Sequence, residues 1–140
     1  MIVLDTNIVL DLFVFGDASV APLHAQLQVG TLQWLATGAM RDELERVLAY
    51  PQIMKSLQHH QRSAAQVLAN FDALVHLQPV AAKAPVTCKD PDDQKFIDLA
   101  VAHRAPLLSK DHAVLCMAKR LLALGVAAQT AMQFIAVSGD

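Results

Sequence analysis

Residues 88–100, CKDPDDQKFIDLA, place Asp90, Asp92, Asp93 and Asp98 around the start of a predicted helix. Two chemistries suit such a cluster. One is helix initiation: Asp90 followed by Pro91 makes an N-cap and first-turn pair, and acids in a first turn complement the helix dipole. The other is ligation of a hard cation, because carboxylate oxygens suit Mg²⁺ or Mn²⁺, which keep several waters and bridge protein to phosphate. Asp90 and Asp92 fit the first role. Asp93 falls near the third helical position, where a carboxylate can cap or ligate, and spacing leaves both open. Asp98, between Ile97 and Leu99, reads as a helix-surface or salt-bridging acid. Two further acids follow short apolar runs: Asp5 after Ile2, Val3 and Leu4, and Asp111 after Leu107, Leu108, Ser109 and Lys110.

The elements that must position these acids follow from periodicity. Residues 2–4 read as a buried parallel strand delivering Asp5 at its carboxyl end, with Thr6 and Asn7 capping a helix whose buried side is Ile8, Val9, Leu10, Leu12 and Phe13. Residues 21–29 are weakly helical, and residues 32–36, with the only tryptophan, read as a second strand. Met40, Leu44, Val47 and Leu48 recur at helical intervals between Thr37 and Tyr50, and Pro51 closes that pattern. A helix is predicted over residues 63–77, a connecting strand or loop over 79–86, a helix over 96–102 and a strand over 106–108. The tail predicts a helix over 113–124, a strand over 126–128 and a short helix capped by Thr130 through Ile135. Strands alternating with helices imply a doubly wound parallel α/β sheet with helices on both faces. Ligands bind outside the carboxyl ends of such strands, which brings Asp5 and Asp111 to one edge.

At 140 residues, 54% hydrophobic and 17% charged, the chain is expected to form one ordered domain over residues 1–140. Net charge of −2 excludes a generally basic nucleic-acid binder, so an anionic substrate must be held by a local patch or by bound cations. Cys88 and Cys116 form no C-x-x-C pair and are expected to be reduced and partly buried. The opening MIVLDTN lacks a basic leader, and no apolar run approaches the ~20 residues that span a bilayer, so a cytoplasmic protein without membrane contact is expected. The histidines include no H-x-x-x-H pair, which argues against zinc, and no glycine-rich phosphate loop is present.

Four segments in order, VLDTN, DELERVL, DPDDQKFIDLA and LLSKD, are together similar to the motifs of PIN-domain ribonucleases. The DPDD form resembles the branch of the family that supplies toxin components of bacterial toxin–antitoxin systems. The resemblance implies a PIN-like fold and matches the four family acids to Asp5, Glu43, Asp93 and Asp111, as metal ligands and catalytic residues. Glu43 is preferred to Glu45 because it directly precedes Leu44, and Asp93 to Asp92 because of its spacing to Phe96 and Ala100. Asn7 and Ser109 match the polar residues that orient carboxylates and waters, Ser109 standing where the family more often has threonine. Lys110, with Arg41 and Lys95 behind it, is a candidate phosphate contact, against the alternative that each is an ordinary surface residue.

That resemblance implies an endoribonuclease dependent on one or two Mg²⁺ or Mn²⁺ ions, acting on single-stranded or looped RNA, with a cognate antitoxin and a second copy of the chain as further partners. Two alternatives compete. A phosphatase of the haloacid-dehalogenase type also places an Asp after its first strand, but needs a second Asp where this chain has Asn7. A PIN fold serving only as a protein- or RNA-binding module would be favoured by loss of an acid, and all four are present.

Overall fold

The computed structural model describes residues 1–138. Among them run five short strands, β1 (Val3–Leu4), β2 (Trp34–Ala36), β3 (Val75–Leu77), β4 (Leu107–Leu108) and β5 (Ala128–Gln129). All pairings are parallel. Val3 lies opposite Leu107 and Leu107 opposite Ala128, while Trp34 lies opposite Val75. A bridge from Ile2 to Trp34 joins the two ladders, with Ile2 N donating to Gln33 O at 2.8 Å and Leu35 N donating to Ile2 O at 2.9 Å. The resulting order, β3-β2-β1-β4-β5, runs outward in both directions from β1 and is that of a doubly wound α/β sheet.

Consecutive residues of β1, β2 and β4 are all buried, so both faces of the central strands are covered. Strands of this kind need helices on each side. These are α1 (Thr6–Phe13), α2 (Ala21–Val29), α3 (Gly38–Leu48), α4 (Pro51–His59), α5 (Ala64–Leu74), α6 (Gln94–His103), α7 (His112–Leu115), α8 (Ala118–Leu122) and α9 (Ala131–Ser138). Caps set their ends: α2 stops at Gly30 in the left-handed conformation, φ 81°, and α5 starts at a Ser63–Gln66 capping box. Trp34 is buried at the centre, stacked on Phe13 and edge-on to Phe71, which ties α1 and α5 to β2.

Several sequence-based boundaries are corrected. Pro51 ends the α3 pattern but also begins α4, occupying a first-turn position where proline's missing N–H costs nothing. The helix expected through Leu77 stops at Leu74, and Val75–Leu77 form edge strand β3 instead, with Leu77 exposed. Residues 79–86 contain no strand. The helix expected over 113–124 is split at Cys116 and Met117, and the last strand sits at Ala128–Gln129. Cys88 is buried but Cys116 is exposed, and both are free. No single helix among the described residues is long and apolar enough to cross a membrane.

Candidate metal centre

In a sheet ordered β3-β2-β1-β4-β5, the strand direction of winding reverses between β1 and β4, and the crevice opens beyond their carboxyl ends. Asp5 follows β1 directly. Its backbone N donates to Leu108 O of β4 at 2.9 Å, and its carboxylate caps α1, Oδ1 accepting from Thr6 N at 2.7 Å. Oδ2 accepts from the hydroxyl of Ser109 at 2.7 Å. Ser109, fully buried after β4, accepts in turn from Asp111 N at 2.9 Å, so one hydroxyl orients Asp5 and shapes the turn that carries Asp111. Asp111 caps α7 through Ala113 N at 3.0 Å. Among the described residues Asn7 makes no hydrogen bond to a carboxylate; its Oδ1 accepts from Lys110 N at 3.2 Å and clamps this turn to the start of α1.

The acids of the 88–100 segment divide between the two chemistries. Asp90 caps a 3₁₀ turn at Pro91–Asp93, its Oδ1 accepting from Asp92 N at 3.0 Å, and Asp92 is exposed. Asp93 ends that turn, makes no cap hydrogen bond, and is only 7% exposed, with Oδ2 buried and without a partner. One carboxylate oxygen from each of Asp5, Asp93 and Asp111 lies within 4.8 Å of the others. Asp98 is structural: its Oδ1 accepts from Ala84 N at 2.9 Å and Gln94 Nε2 at 2.8 Å.

Electrostatics mark this cluster. Burial pushes the Asp5 carboxyl above its ordinary range; hydrogen bonds from Ser109 and Thr6 oppose the rise, and the charges of Glu43 and Asp111 add to it. Asp93 is pushed up to about 8, first by burial, then by its side-chain interaction with Asp111 and by the charge of Asp5. Asp111 is held below the usual carboxylate range by that same interaction and by the Ala113 N–H. A buried oxygen with no partner, on a residue clustered with two more carboxylates, is costly without a cation or proton. The all-oxygen donor set fits a hard divalent ion.

Glu43, on α3, stands beside this trio and outside the set that closes to 4.8 Å. Lys95 Nζ lies 2.7 Å from its Oε1, and the Thr6 hydroxyl donates to its Oε2. Lys110 reaches along α1 to the buried Asp11, 2.9 Å away, and Arg41 makes a two-point pair with Asp72 at 2.8 and 2.9 Å. Thr6 and Asn7 do not cap α1 as the sequence suggests, since Asp5 is the cap and both lie within the helix; the hold of Thr6 on Glu43 and that of Asp11 on Lys110 have no counterpart in the sequence reading. An acid between Leu10 and Leu12 in an apolar helix was the available signal for Asp11, since a buried carboxylate requires a partner.

A doubly wound parallel sheet with three clustered aspartates beyond β1 and β4 defines an α/β protein with a candidate cation site at its switch point. The chain belongs to the PIN domain family, whose model matches residues 1–113. PIN domains are a nuclease-type fold, which supports a hydrolase. No curated protein matches the sequence. Beyond residue 113, β5 still pairs with β4 and extends the same sheet.

Proposed function

We propose that the protein is a Mg²⁺- or Mn²⁺-dependent endoribonuclease that hydrolyses single-stranded or looped RNA, with Asp5, Asp93 and Asp111 as metal ligands and Glu43 completing the acidic edge. The observation that carries this reading is the convergence of one carboxylate oxygen from each of Asp5, Asp93 and Asp111 within 4.8 Å, in a cluster where Asp93 also keeps a buried oxygen without a hydrogen-bond partner. A bound divalent ion would supply a water of lowered pKa and a positive charge for the phosphate undergoing displacement. The protein's own part is preorganisation. Ser109 and the Thr6 N–H hold the two oxygens of Asp5, leaving each with a lone pair directed elsewhere. Asp93, whose carboxyl is pushed up by burial, would have to give up its proton to hold a cation with Asp5 and Asp111. Asn7 fixes the turn bearing Lys110 and Asp111. An unpaired RNA strand has a backbone that can bend to reach such an edge.

The DPDD motif supports a further reading, that the enzyme is the cytoplasmic toxin of a toxin–antitoxin pair. A small neighbouring reading frame with a DNA-binding amino end and an amphipathic tail would agree with it. The test of the chemistry is cleavage of an unstructured RNA oligonucleotide. Activity should vanish in EDTA and return with Mg²⁺ or Mn²⁺; undiminished cleavage in EDTA would refute the mechanism.

A further inference from the structure

The ion pair between Lys95 and Glu43 bears on how many cations the acidic edge can hold. Lys95 lies two residues after Asp93, in the first turn of α6, and its ammonium sits 2.7 Å from Glu43 Oε1. It also donates to the Asp92 carbonyl and lies 5.0 Å from the centre of the Phe96 ring. The pair is well enclosed, with Lys95 25% and Glu43 15% exposed, so solvent screens it less than a surface bridge. The second oxygen of Glu43 is taken by the Thr6 hydroxyl. Both oxygens of the fourth acid are therefore engaged by the protein itself, one of them by a full positive charge.

We propose that Lys95 takes the place of a second metal ion: Asp5, Asp93 and Asp111 hold one divalent cation, while the Lys95 ammonium, anchored on Glu43, contacts a non-bridging oxygen of the scissile phosphate. This rests on the metal-dependent reading above and deepens it. An ammonium carries three donors, and among the described residues two are spent, on Glu43 and on Asp92 O. The third N–H, on a side chain that keeps a quarter of its surface open, remains for substrate. A second divalent ion near Glu43 would face the ammonium at short range and would have to displace it. Thr6 and Glu43 serve as positioning residues for Lys95.

Titration of the metal-free full chain with Mn²⁺, with free ion measured by electron paramagnetic resonance, tests the inference without reference to activity. Wild type should bind one Mn²⁺ per chain, Lys95→Met two because Glu43 is released, and Lys95→Arg one. That pattern supports the inference whether or not RNA is cleaved, so it stands or falls separately from the ribonuclease reading. Two ions in wild type overturn it, even if Lys95→Met does not fold, and so does a folded Lys95→Met that still binds one. Single-turnover RNA cleavage at saturating Mn²⁺ should fall on the order of a hundredfold in Lys95→Met, with partial recovery in Lys95→Arg. An unchanged rate in Lys95→Met would overturn the phosphate contact.

Discussion

At pH 7 the Asp93 carboxyl, pushed up to about 8 by burial and by its neighbours, still holds a proton. On the proposed reading a cation entering the trio would displace it, so that binding and deprotonation would be one event. Calorimetric titration with Mn²⁺ at pH 7, in buffers of different ionisation enthalpy, should show release of about one proton per ion, diminishing toward zero near pH 9. Release that does not change with pH would place the ion away from Asp93. Asp5 and Asp111 were legible in the sequence because each follows a short apolar strand, and Asp93 because the resemblance selected it where spacing left it open. The surroundings of Glu43 were not legible: Thr6 and Lys95 reach it across 37 and 52 residues, a meeting that only the packing of α1, α3 and α6 creates.

Helix α6 has a second task besides presenting Asp93. Residues 78–90 cross from β3 to the 3₁₀ turn without regular structure, and polar side chains of α6 tie them down. Gln94 Oε1 accepts from Cys88 N at 2.7 Å, Gln94 Nε2 donates to Val86 O at 3.0 Å, and Asp98 accepts from Ala84 N. Asp98→Ala strips the partner from one backbone amide and from Gln94, and should cost about 1–3 kcal/mol of stability while leaving Mn²⁺ affinity nearly unchanged. Urea unfolding and Mn²⁺ titration of the variant check both halves. The element-scale errors have a common physical origin. Pro51 signals both the end of one helix and the start of another, and Leu74, Val75 and Leu77 satisfy a helical or an edge-strand pattern over so short a span. The parallel doubly wound class, by contrast, follows from strand–helix alternation, and the rule that ligands bind outside the carboxyl ends of such strands puts Asp5 and Asp111 at one edge; the strand order itself emerges only in the folded sheet.

For the molecule as a whole, the acidic edge is a local conflict between stability and chemistry. Asp93 and Asp5 have folded-state pKa values above the ordinary 3.8, so between pH 4 and 8 the folded chain holds more protons than the unfolded one. Stability from these groups is therefore full below about pH 4 and is lost as pH rises toward 8; Asp111, shifted downward, acts only at lower pH. Metal-free Asp93→Asn should lose less stability than wild type between pH 5 and 8. At pH 8 in EDTA it should melt about 2–4 °C higher, for a relief of about 1 kcal/mol. Mn²⁺ should raise the wild-type melting temperature more than that of the variant. A variant that melts lower than wild type at pH 8 in EDTA would make Asp93 a structural hydrogen-bonding residue. The most direct measurement of the central claim is the rate of RNA cleavage in Mn²⁺ by two neighbouring variants. Asp93→Asn, which alters the buried carboxylate of the trio, should nearly abolish turnover, whereas Asp92→Asn, at the exposed position beside it, should keep most of the wild-type rate; equal losses in the two would contradict the assignment.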